Sequence, residues 1–320
     1  MSAKPVLFDC DPGIDDALAL LHLGGIGGKL LGVASVHGNV PATTAAENAV
    51  RILDVMDMND VPVWTGAARP MAQPLLTAEH VHGPDGLGGT NSGALPRPVS
   101  DGIGAVKIVE MAHAHPGEFT LVAVGPLTNL GLALLLEPNL PDLIPEVMIM
   151  GGAMLPPGNV TENAEANTWH DPEASQLVIE AAWQKTFVTL DATMQTVLSD
   201  EQLGQLANSD NPRAKYAWSI LQFYLDAYEQ WLGRKSCPLH DPLAMALAFD
   251  PALASYVTYP TRVELRGEAT RGSLVPDLRG IANPETSDAS GDVRYVDELD
   301  VERFQAKFLE SLTSDSLQRG

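Results

Sequence analysis

The sequence predicts an α/β fold, with an open, largely parallel, doubly wound sheet that carries helices on both of its faces. The first observation is the alternation of short apolar runs with stretches of helical periodicity, which is typical of strand–helix units. The second observation is that polar residues follow several of these runs. These positions suit a doubly wound sheet, because ligands bind at the carboxyl ends of its strands. The third is the lack of internal repeats and composition breaks, so residues 1–320 are interpreted as a single domain.

The first strand–helix unit organises the prediction. Residues 6–8 form an apolar run typical of a buried strand, and residues 17–23 form an apolar helix start. Pro12 and Gly13 favour a turn between them. Four aspartates therefore crowd one strand-to-helix junction, namely Asp9, Asp11, Asp15 and Asp16.

The remaining elements are predicted from the same patterns. The loop over residues 151–170 is long, polar and without periodicity, which usually indicates a functional segment. Residues 60–100 are rich in glycine and proline and are interpreted as a long connection. Strands are predicted at residues 29–36, 61–64, 119–124, 146–150, 257–265, 272–278 and 293–296, and helices at 42–57, 103–113, 172–183, 212–232, 242–249 and from about 299 onward.

The aspartate cluster predicts a cation. Carboxylates at close quarters repel one another, and burying one of them unpaired is costly. Hard oxygen donors favour Ca²⁺ or Mg²⁺ over zinc or copper. The alternative interpretation makes Asp15 and Asp16 helix N-terminal residues that the macrodipole favours, with Asp9 and Asp11 solvated. It accounts for two of the aspartates but not for all four.

Bulk properties narrow the class of partner. The formal net charge of −22 disfavours nucleic acid and anionic membranes as partners. No apolar run approaches the length of a membrane span, and the N-terminus lacks the basic and apolar regions of a signal peptide. Cys10 and Cys237 fit neither a disulfide framework nor a zinc pattern. We therefore expect a cytoplasmic protein whose partners are a small molecule and a cation.

Five motifs together resemble one enzyme family. Residues 9–16 (Asp-Cys-Asp-Pro-Gly-Ile-Asp-Asp) resemble the N-terminal signature of the inosine-uridine-preferring nucleoside hydrolases. The later motifs extend the resemblance over nearly the whole chain, at residues 36–39 (Val-His-Gly-Asn), 123–129 (Ala-Val-Gly-Pro-Leu-Thr-Asn), 158–167 (Gly-Asn-Val-Thr-Glu-Asn-Ala-Glu-Ala-Asn) and 238–242 (Pro-Leu-His-Asp-Pro). The resemblance implies calcium-dependent hydrolysis of purine or pyrimidine ribonucleosides to ribose and free base, in nucleoside salvage, by a homodimer or homotetramer.

The resemblance also implies a role for each matching residue. Asp11 would take the proton of the attacking water, and His240 would protonate the departing base. Asp9 would orient its neighbours. The implied calcium ligands are Asp11, Asp15, Asp16, Asp241 and the backbone carbonyl of Val124, and the implied substrate-binding residues are Asn39, His82, Asn159, Glu165, Asn167 and Tyr228.

Several of these residues have plain structural alternatives. His-Asp-Pro occurs at residues 170–172 and again at 240–242, and in both copies the aspartate could cap a helix whose first residue is proline. Only the second copy matches the family. Trp169 is interpreted as a buried core tryptophan, and core packing is also favoured for Tyr224.

Two other functions fit parts of the pattern. A haloacid-dehalogenase-type phosphatase also places a nucleophile in a strand-ending Asp-x-Asp, but it needs a lysine and a later acidic pair that the sequence does not supply convincingly. A nucleoside- or sugar-binding protein would need the asparagines but not His240 or the water-activating Asp11. Base preference, oligomeric state and the identity of the leaving-group acid (His240, His82 or water) stay open at this point.

Overall fold

A computed structural model describes residues 4–91, 93–155, 157–279 and 291–314. Over these residues the strands are β1 (Val6–Cys10), β2 (Leu30–Ser35), β3 (Val63–Thr65), β4 (Ser100–Ile103), β5 (Thr120–Ala123), β6 (Glu146–Met150), β7 (Gln184–Val188), β8 (Ala254–Val263), β9 (Leu274–Pro276) and β10 (Gly291–Leu299). The helices are α1 (Ile14–Gly25), α2 (Ala42–Val55), α3 (Glu79–His82), α4 (Gly104–Ala114), α5 (Thr128–Leu136), α6 (Leu140–Leu143), α7 (Ala166–His170), α8 (Pro172–Glu180), α9 (Leu190–Thr193), α10 (Asp200–Ala207), α11 (Pro212–Leu232), α12 (His240–Phe249) and α13 (Val301–Thr313). None of the helices in these ranges is long and apolar enough to cross a membrane.

The described strands form one sheet in the order β4-β3-β2-β1-β5-β6-β7-β10-β8-β9. All neighbours from β4 to β10 pair in parallel, whereas β8 runs antiparallel to both β10 and β9. The order reverses at β1, because β2 lies on one side of it and β5 on the other. Ligands bind at such a switch point, outside the carboxyl ends of the strands. The fold therefore places the residues after Cys10 where a site is expected.

The alternating side chains of β1 build two cores, one on each face of the sheet. Val6, Phe8 and Cys10 pack with α1, α2, α11, α12 and α13, while Leu7 packs with α4, α5 and α8 on the opposite face. Every residue of β1 is buried, as expected for a central parallel strand covered on both faces. Asp9 shares the face of Leu7, so this carboxyl group is enclosed by the protein.

The predicted fold class is confirmed, and two predicted elements match to the residue. The helix over 212–232 is α11, which Asn211 caps at its start and Gly233, in the left-handed conformation, ends. The strand over 146–150 is β6. The helix predicted over 172–183 is too long, because Ala181 turns extended after Glu180.

Other elements are missing from the prediction. The loop predicted to be without structure contains α7, which is too short for periodicity to reveal. Strand β7 was hidden because a lysine occupies a core position. The Lys185 side chain is buried and its Nζ donates to the carbonyl of Ala181 at 2.8 Å. Helices α5 and α10 and strand β4 were also missed.

Candidate active site

The candidate site begins at the turn between β1 and α1. Gly13 is required here by close approach, because a Cβ at this position would lie 2.6 Å from both Asn39 Nδ2 and His82 Nδ1. The Asp16 side chain closes the turn by accepting hydrogen bonds from the backbone N–H groups of Gly13 at 2.9 Å and Asp11 at 3.0 Å. The Pro-Gly turn therefore brings residues from three segments of the chain together.

Three carboxylates form a compact group at this turn. One ligand atom each from Asp15, Asp16 and Asp241 lie within 4.8 Å of one another, and all three residues are buried. The alternative interpretation, in which Asp9 and Asp11 are solvated, is wrong, because these residues are 0% and 1% exposed. The helix-terminal interpretation of Asp15 and Asp16 holds for their position in α1, but it does not account for Asp241, which arrives from α12.

Burial and mutual repulsion perturb these carboxyl groups strongly. Burial, followed by the charges of Asp15, Asp16 and Asp11, raises the pKa of Asp241 well above its usual range. Burial and then Asp15 raise the pKa of Asp16 to about 7, although three backbone N–H groups oppose the shift. Burial and Asp16 likewise raise the pKa of Asp11. Such repulsion destabilises the folded state unless a positive charge lies among the carboxylates.

Asp11 lies next to this group with one oxygen free. Its Oδ2 accepts a 2.6 Å hydrogen bond from the backbone N–H of Asn39, whereas its buried Oδ1 has no partner in the described part of the chain. Gly125 leaves room beside this oxygen, since a Cβ there would lie 2.6 Å from Asp11 Oδ1. An orphaned carboxylate oxygen in a space that only glycine leaves open fits a cation with oxygen ligands.

The Val124 carbonyl already has one partner. Asn167 Nδ2 donates to this oxygen at 2.8 Å and to the carbonyl of Met150 at 3.1 Å. Since a carbonyl oxygen carries two lone pairs, the bond from Asn167 does not exclude a cation. The amide thus bridges the ends of β5 and β6.

Glu165 is the N-cap of α7. Its carboxylate accepts hydrogen bonds from the backbone N–H groups of Asn167 at 2.9 Å, Thr168 at 3.2 Å and Gly152 at 2.7 Å. Burial raises its pKa even so. Asn159 supports the same helix start, because its Oδ1 accepts from the backbone N–H of Ala166 at 2.9 Å. Three residues predicted to hold the sugar, Asn159, Glu165 and Asn167, therefore also build their own loop.

His240 lies between two hydroxyl groups. Its Nε2 is 2.8 Å from the Tyr228 hydroxyl and its Nδ1 is 2.7 Å from the Thr193 hydroxyl. Burial lowers the pKa of His240 to about 4. Sequence reasoning missed Thr193, because α9 is a single short turn without a periodic signal. Both ring nitrogens are thus engaged, and Tyr228 is the neighbour that shares a cavity with His240.

His82 and Tyr224 both lie beside Asp15, and His82 Nδ1 is 3.7 Å from Asp15 Oδ1. The backbone N–H of Ile14 donates to His82 Nδ1 at 3.1 Å, so this ring carries its proton on Nε2 when neutral. Burial lowers the pKa of His82. The Tyr224 hydroxyl donates to Asp15 Oδ2 at 3.3 Å. Tyr224 is fully buried, as the core interpretation predicts, and it also lines the cavity.

These residues surround a cavity of about 230 Å³. Asp11 and Asp16 do not line it and reach it through Asn39, whose Nδ2 donates to Asp16 Oδ2 at 3.0 Å. Ten of the predicted site residues do line it, namely Asp15, Asn39, His82, Val124, Asn159, Glu165, Asn167, Tyr228, His240 and Asp241. A larger groove of about 520 Å³ lies between α10 and α13, but it contains none of the predicted site residues.

The two His-Asp-Pro copies differ in structure. Asp171 caps α8, its side chain accepting from the backbone N–H of Ala174 at 3.1 Å. Asp241 lies inside the first turn of α12 and caps nothing, so the capping alternative is wrong for this copy. The interpretation of Trp169 as a buried core residue is also wrong, because it is partly exposed and lines the cavity. Trp231, another wall of the cavity, was not predicted.

Comparisons with known proteins agree with the geometry. The family model described as inosine-uridine preferring nucleoside hydrolase matches residues 6–306. The chain is 34% identical over 312 residues to the inosine-uridine preferring nucleoside hydrolase of Crithidia fasciculata, covering 97% of each. It is 34% identical over 290 residues to the pyrimidine-specific ribonucleoside hydrolase RihA of Shewanella woodyi, covering 89% of this chain and 91% of the relative. Among solved structures, a plant nucleoside hydrolase matches with a TM-score of 0.93 at 31% identity, covering 98% of this chain and 99% of the other.

Proposed function

The chain belongs to the inosine-uridine preferring nucleoside hydrolase family, and we propose that it cleaves the N-glycosidic bond of ribonucleosides with the help of Ca²⁺, releasing ribose and the free base. The observation that carries the proposal is the buried carboxylate group at one end of a cavity whose other walls are amide and aromatic side chains. Family membership removes the phosphatase alternative. The binding-protein alternative is tested by the experiment below.

The donor set fits calcium. Asp11, Asp15, Asp16, Asp241 and the Val124 carbonyl would hold the ion, since Ca²⁺ prefers six to eight oxygen ligands and the sugar hydroxyls and water can complete the set. When bound, the ion supplies the positive charge that keeps the carboxylates ionised, and it lowers the pKa of a water molecule beside them.

Asp11 is the proposed general base, the group that accepts a proton from water. Its unpartnered Oδ1 can take a proton from the attacking water, while the bond from the Asn39 N–H holds Oδ2 in place. The water oxygen forms a bond to the anomeric carbon as the carbon–nitrogen bond breaks. The electron pair of that bond leaves with the nucleobase, and the carboxylates stabilise the positive charge that develops on the sugar.

The ribose would be held by amide groups. Asn167 uses its Nδ2 on two backbone carbonyls, which leaves its Oδ1 to accept from a sugar hydroxyl. Asn39 likewise gives its Nδ2 to Asp16. Glu165 adds a carboxylate whose position three backbone N–H groups fix. A sugar offers donors and acceptors together, and this set can satisfy both.

The departing base needs a proton. Because the Tyr228 hydroxyl contacts His240 Nε2 and both residues line the cavity, we propose that the His240–Tyr228 pair supplies it. The Thr193 hydroxyl fixes the ring from the other side. This revises the direct donation from His240 that the family resemblance implies, since neither ring nitrogen is free.

Release of free ribose from inosine or uridine tests the proposal. Purified protein with Ca²⁺ should liberate ribose in proportion to enzyme, and the Asp11→Asn variant should not. A protein that binds nucleosides without hydrolysing them would show saturable binding but no ribose, and that result would refute the enzymatic proposal.

A further inference from the structure

Arg271, in the turn between β8 and β9, joins two segments of the chain that are distant in sequence. Its Nη2 donates to both carboxylate oxygens of Glu173 in α8, at 2.7 and 2.8 Å, and its Nε donates to Oε1 of Gln73 at 3.1 Å. The side chains of Arg271 and Glu173 are 27% and 29% exposed, so water screens this ion pair less than it screens a surface pair. Gln73, Glu173 and Arg271 together form a polar clamp.

The polar clamp acts on α7 through the amide of Gln73. The Gln73 Nε2 donates to the backbone carbonyl of Trp169 at 2.6 Å and to that of His170 at 3.0 Å. Trp169 and His170 are the last two residues of α7, and carbonyls at a helix end have no partner within the helix. Since α7 also carries Asn167, the Gln73 amide fixes the helix that presents this proposed sugar-binding residue.

Gln73 itself belongs to a segment that supplies another wall of the cavity. Residues 76–78, which follow it closely in the chain, line the cavity. On the other side of Gln73, the backbone N–H of Met71 donates to Asp171 Oδ2 at 3.0 Å. The first His-Asp-Pro copy, which the proposed reaction does not use, therefore fastens this segment to the start of α8. The polar clamp and Asp171 together hold two walls of the cavity in contact.

The polar clamp lies outside the cavity. None of its three residues lines it, and over the described residues none of them hydrogen-bonds to a carboxylate of the proposed ion site or to the His240–Tyr228 pair. It can therefore influence the reaction only through the position of the walls that it joins. This position should matter for holding the sugar rather than for the proton transfers.

We propose that the polar clamp positions α7 against residues 71–78 and thereby sets how tightly the site holds ribose. The inference rests on the proposed function and adds Gln73 and Arg271 as positioning residues, which act through Asn167. Hydrogen bonds weaken steeply when their geometry departs from the optimum, so a displaced α7 loses contacts to the sugar. Because every ribonucleoside carries the same sugar, the loss should not depend on the nucleobase.

The test compares Arg271→Ala and Gln73→Leu with the control Arg279→Ala. Arg279 also binds a carboxylate, that of Asp277, through its Nε at 2.8 Å and its Nη2 at 2.7 Å, but it contacts neither wall. Arg271→Ala and Gln73→Leu should each raise KM for inosine and for uridine by about tenfold, while kcat stays within about threefold of the wild type. Arg279→Ala should leave KM unchanged for both nucleosides.

Two further measurements separate positioning from a general loss of structure. The inhibition constant of free ribose should rise in parallel with KM, because ribose uses the same contacts. The double variant Gln73→Leu/Arg271→Ala should raise KM no more than the larger single effect, since both changes break one chain of bonds. Arg271→Lys should recover only part of the loss, because an ammonium group lacks the planar set of donors.

A fall in kcat at unchanged KM, an unchanged KM in Gln73→Leu, or additive effects in the double variant would overturn the role of the polar clamp. Gln73→Leu decides the matter even if Arg271→Ala fails to fold, because Gln73 is only partly buried. Failure of the wild type to release ribose from either nucleoside would instead refute the proposed function.

Discussion

At the scale of single residues, Asp11 and His240 serve opposite ends of the proposed reaction. If Asp11 activates water, Asp11→Asn should cripple hydrolysis of every riboside, whatever its leaving group. If the His240–Tyr228 pair only protonates the base, His240→Ala should lose on the order of 10² to 10⁴ in rate on inosine. It should keep most of its activity on p-nitrophenyl riboside, because nitrophenolate leaves as a stable anion. Steady-state kinetics on the two substrates measures both effects.

Tyr228→Phe is the matched control for this prediction. It keeps the ring that packs on Trp231 but removes the hydroxyl that contacts His240. The same split between the two substrates should appear, in weaker form. Equal losses on inosine and p-nitrophenyl riboside in His240→Ala would mean that His240 supports the neighbouring Asp241 rather than the leaving base.

At the scale of elements, the turn between β8 and β9 supports α7, the helix that carries the proposed sugar-binding residue Asn167. Gly272 has φ +84°, and a Cβ there would lie 2.7 Å from the backbone Cα of Trp169 in α7. Gly272→Ala should therefore cost at least about 1–2 kcal/mol of unfolding free energy from the left-handed backbone alone. Because Asn167 belongs to the displaced helix, KM should also rise. Urea melts and kinetics measure the two effects.

Gly204→Ala is the matched control, because it makes the same substitution at a position where a Cβ meets no other atom. Gly204 lies inside α10, and a Cβ there would meet no atom within 4 Å. Alanine in a helix interior is favoured over glycine by roughly 0.5–1 kcal/mol, so this variant should be stabilised with unchanged KM. A destabilised Gly204→Ala, or a Gly272→Ala that melts like the wild type, would contradict the contact assigned to the turn.

The packing of α1 on α13 contains a buried histidine that makes stability depend on pH. His22 is 2% exposed, its Nδ1 lies 2.8 Å from the Ser311 hydroxyl, which itself donates to the carbonyl of Phe308, and burial lowers the pKa of His22 to about 4 from 6.5. The unfolded chain binds the proton more tightly, so stability is full above pH 6.5 and falls as pH drops towards 4. The loss should reach on the order of 3 kcal/mol at most.

Asparagine at position 22 isolates this effect. His22→Asn keeps an amide donor near the Nδ1 position but cannot titrate. Urea unfolding between pH 7 and 4 should give a shallower loss of stability for the variant than for the wild type. Parallel curves would show that His22 makes no contribution in this range.

Helices and strands were predictable from the sequence where residues at their ends mark the boundaries. Helix α11 was predicted to the residue because Asn211, Pro212 and Gly233 mark its start and end. Strand β7 was not, because its buried Lys185 reads as polar in the sequence although its ammonium group is satisfied by backbone carbonyls. Thr193 and Trp231 were missed for another reason, because their places in the site depend on neighbours that are distant in sequence.

At the scale of the whole molecule, the carboxylate group links stability to the proposed ion. Ions that bind only the folded state stabilise it by about 2.7 kcal/mol at a hundred times their Kd. Exhaustive chelation should therefore lower Tm by roughly 4 °C and abolish activity. Calorimetry with and without chelator, with elemental analysis to confirm the loss of metal, measures this.

The effect of Asp241→Asn on Tm should have opposite signs with Ca²⁺ and in chelator. With Ca²⁺ it removes a ligand and lowers Tm. In chelator it removes one of the buried, mutually repelling carboxylates, so its Tm should exceed that of the wild type. A variant that is less stable than the wild type in both conditions would contradict repulsion among these groups.

The site as a whole was predictable because its motifs lie at the ends of parallel strands, which meet at one edge of the sheet. The sequence therefore identified Asp11, Asn39, Val124 and Glu165 as neighbours. It did not reveal that Asp11 lies deeper than Asp15 and Asp241, or that Glu165 also caps α7. Depth and hydrogen-bond partners come from packing, which no local pattern encodes.

The central position of β1 has a consequence for biosynthesis. The ribosome makes Asp11, Asp15 and Asp16 first, but Asp241 emerges only when α12 is synthesised. At 5–20 residues per second, the nascent chain carries an incomplete carboxylate group for roughly 10 to 45 seconds. During that interval β1 also lacks its neighbour β5 until residue 120 has been made. A complete set of side-chain ligands for the proposed ion therefore exists only after α12 has been synthesised, and until β5 is made β1 can pair only with β2.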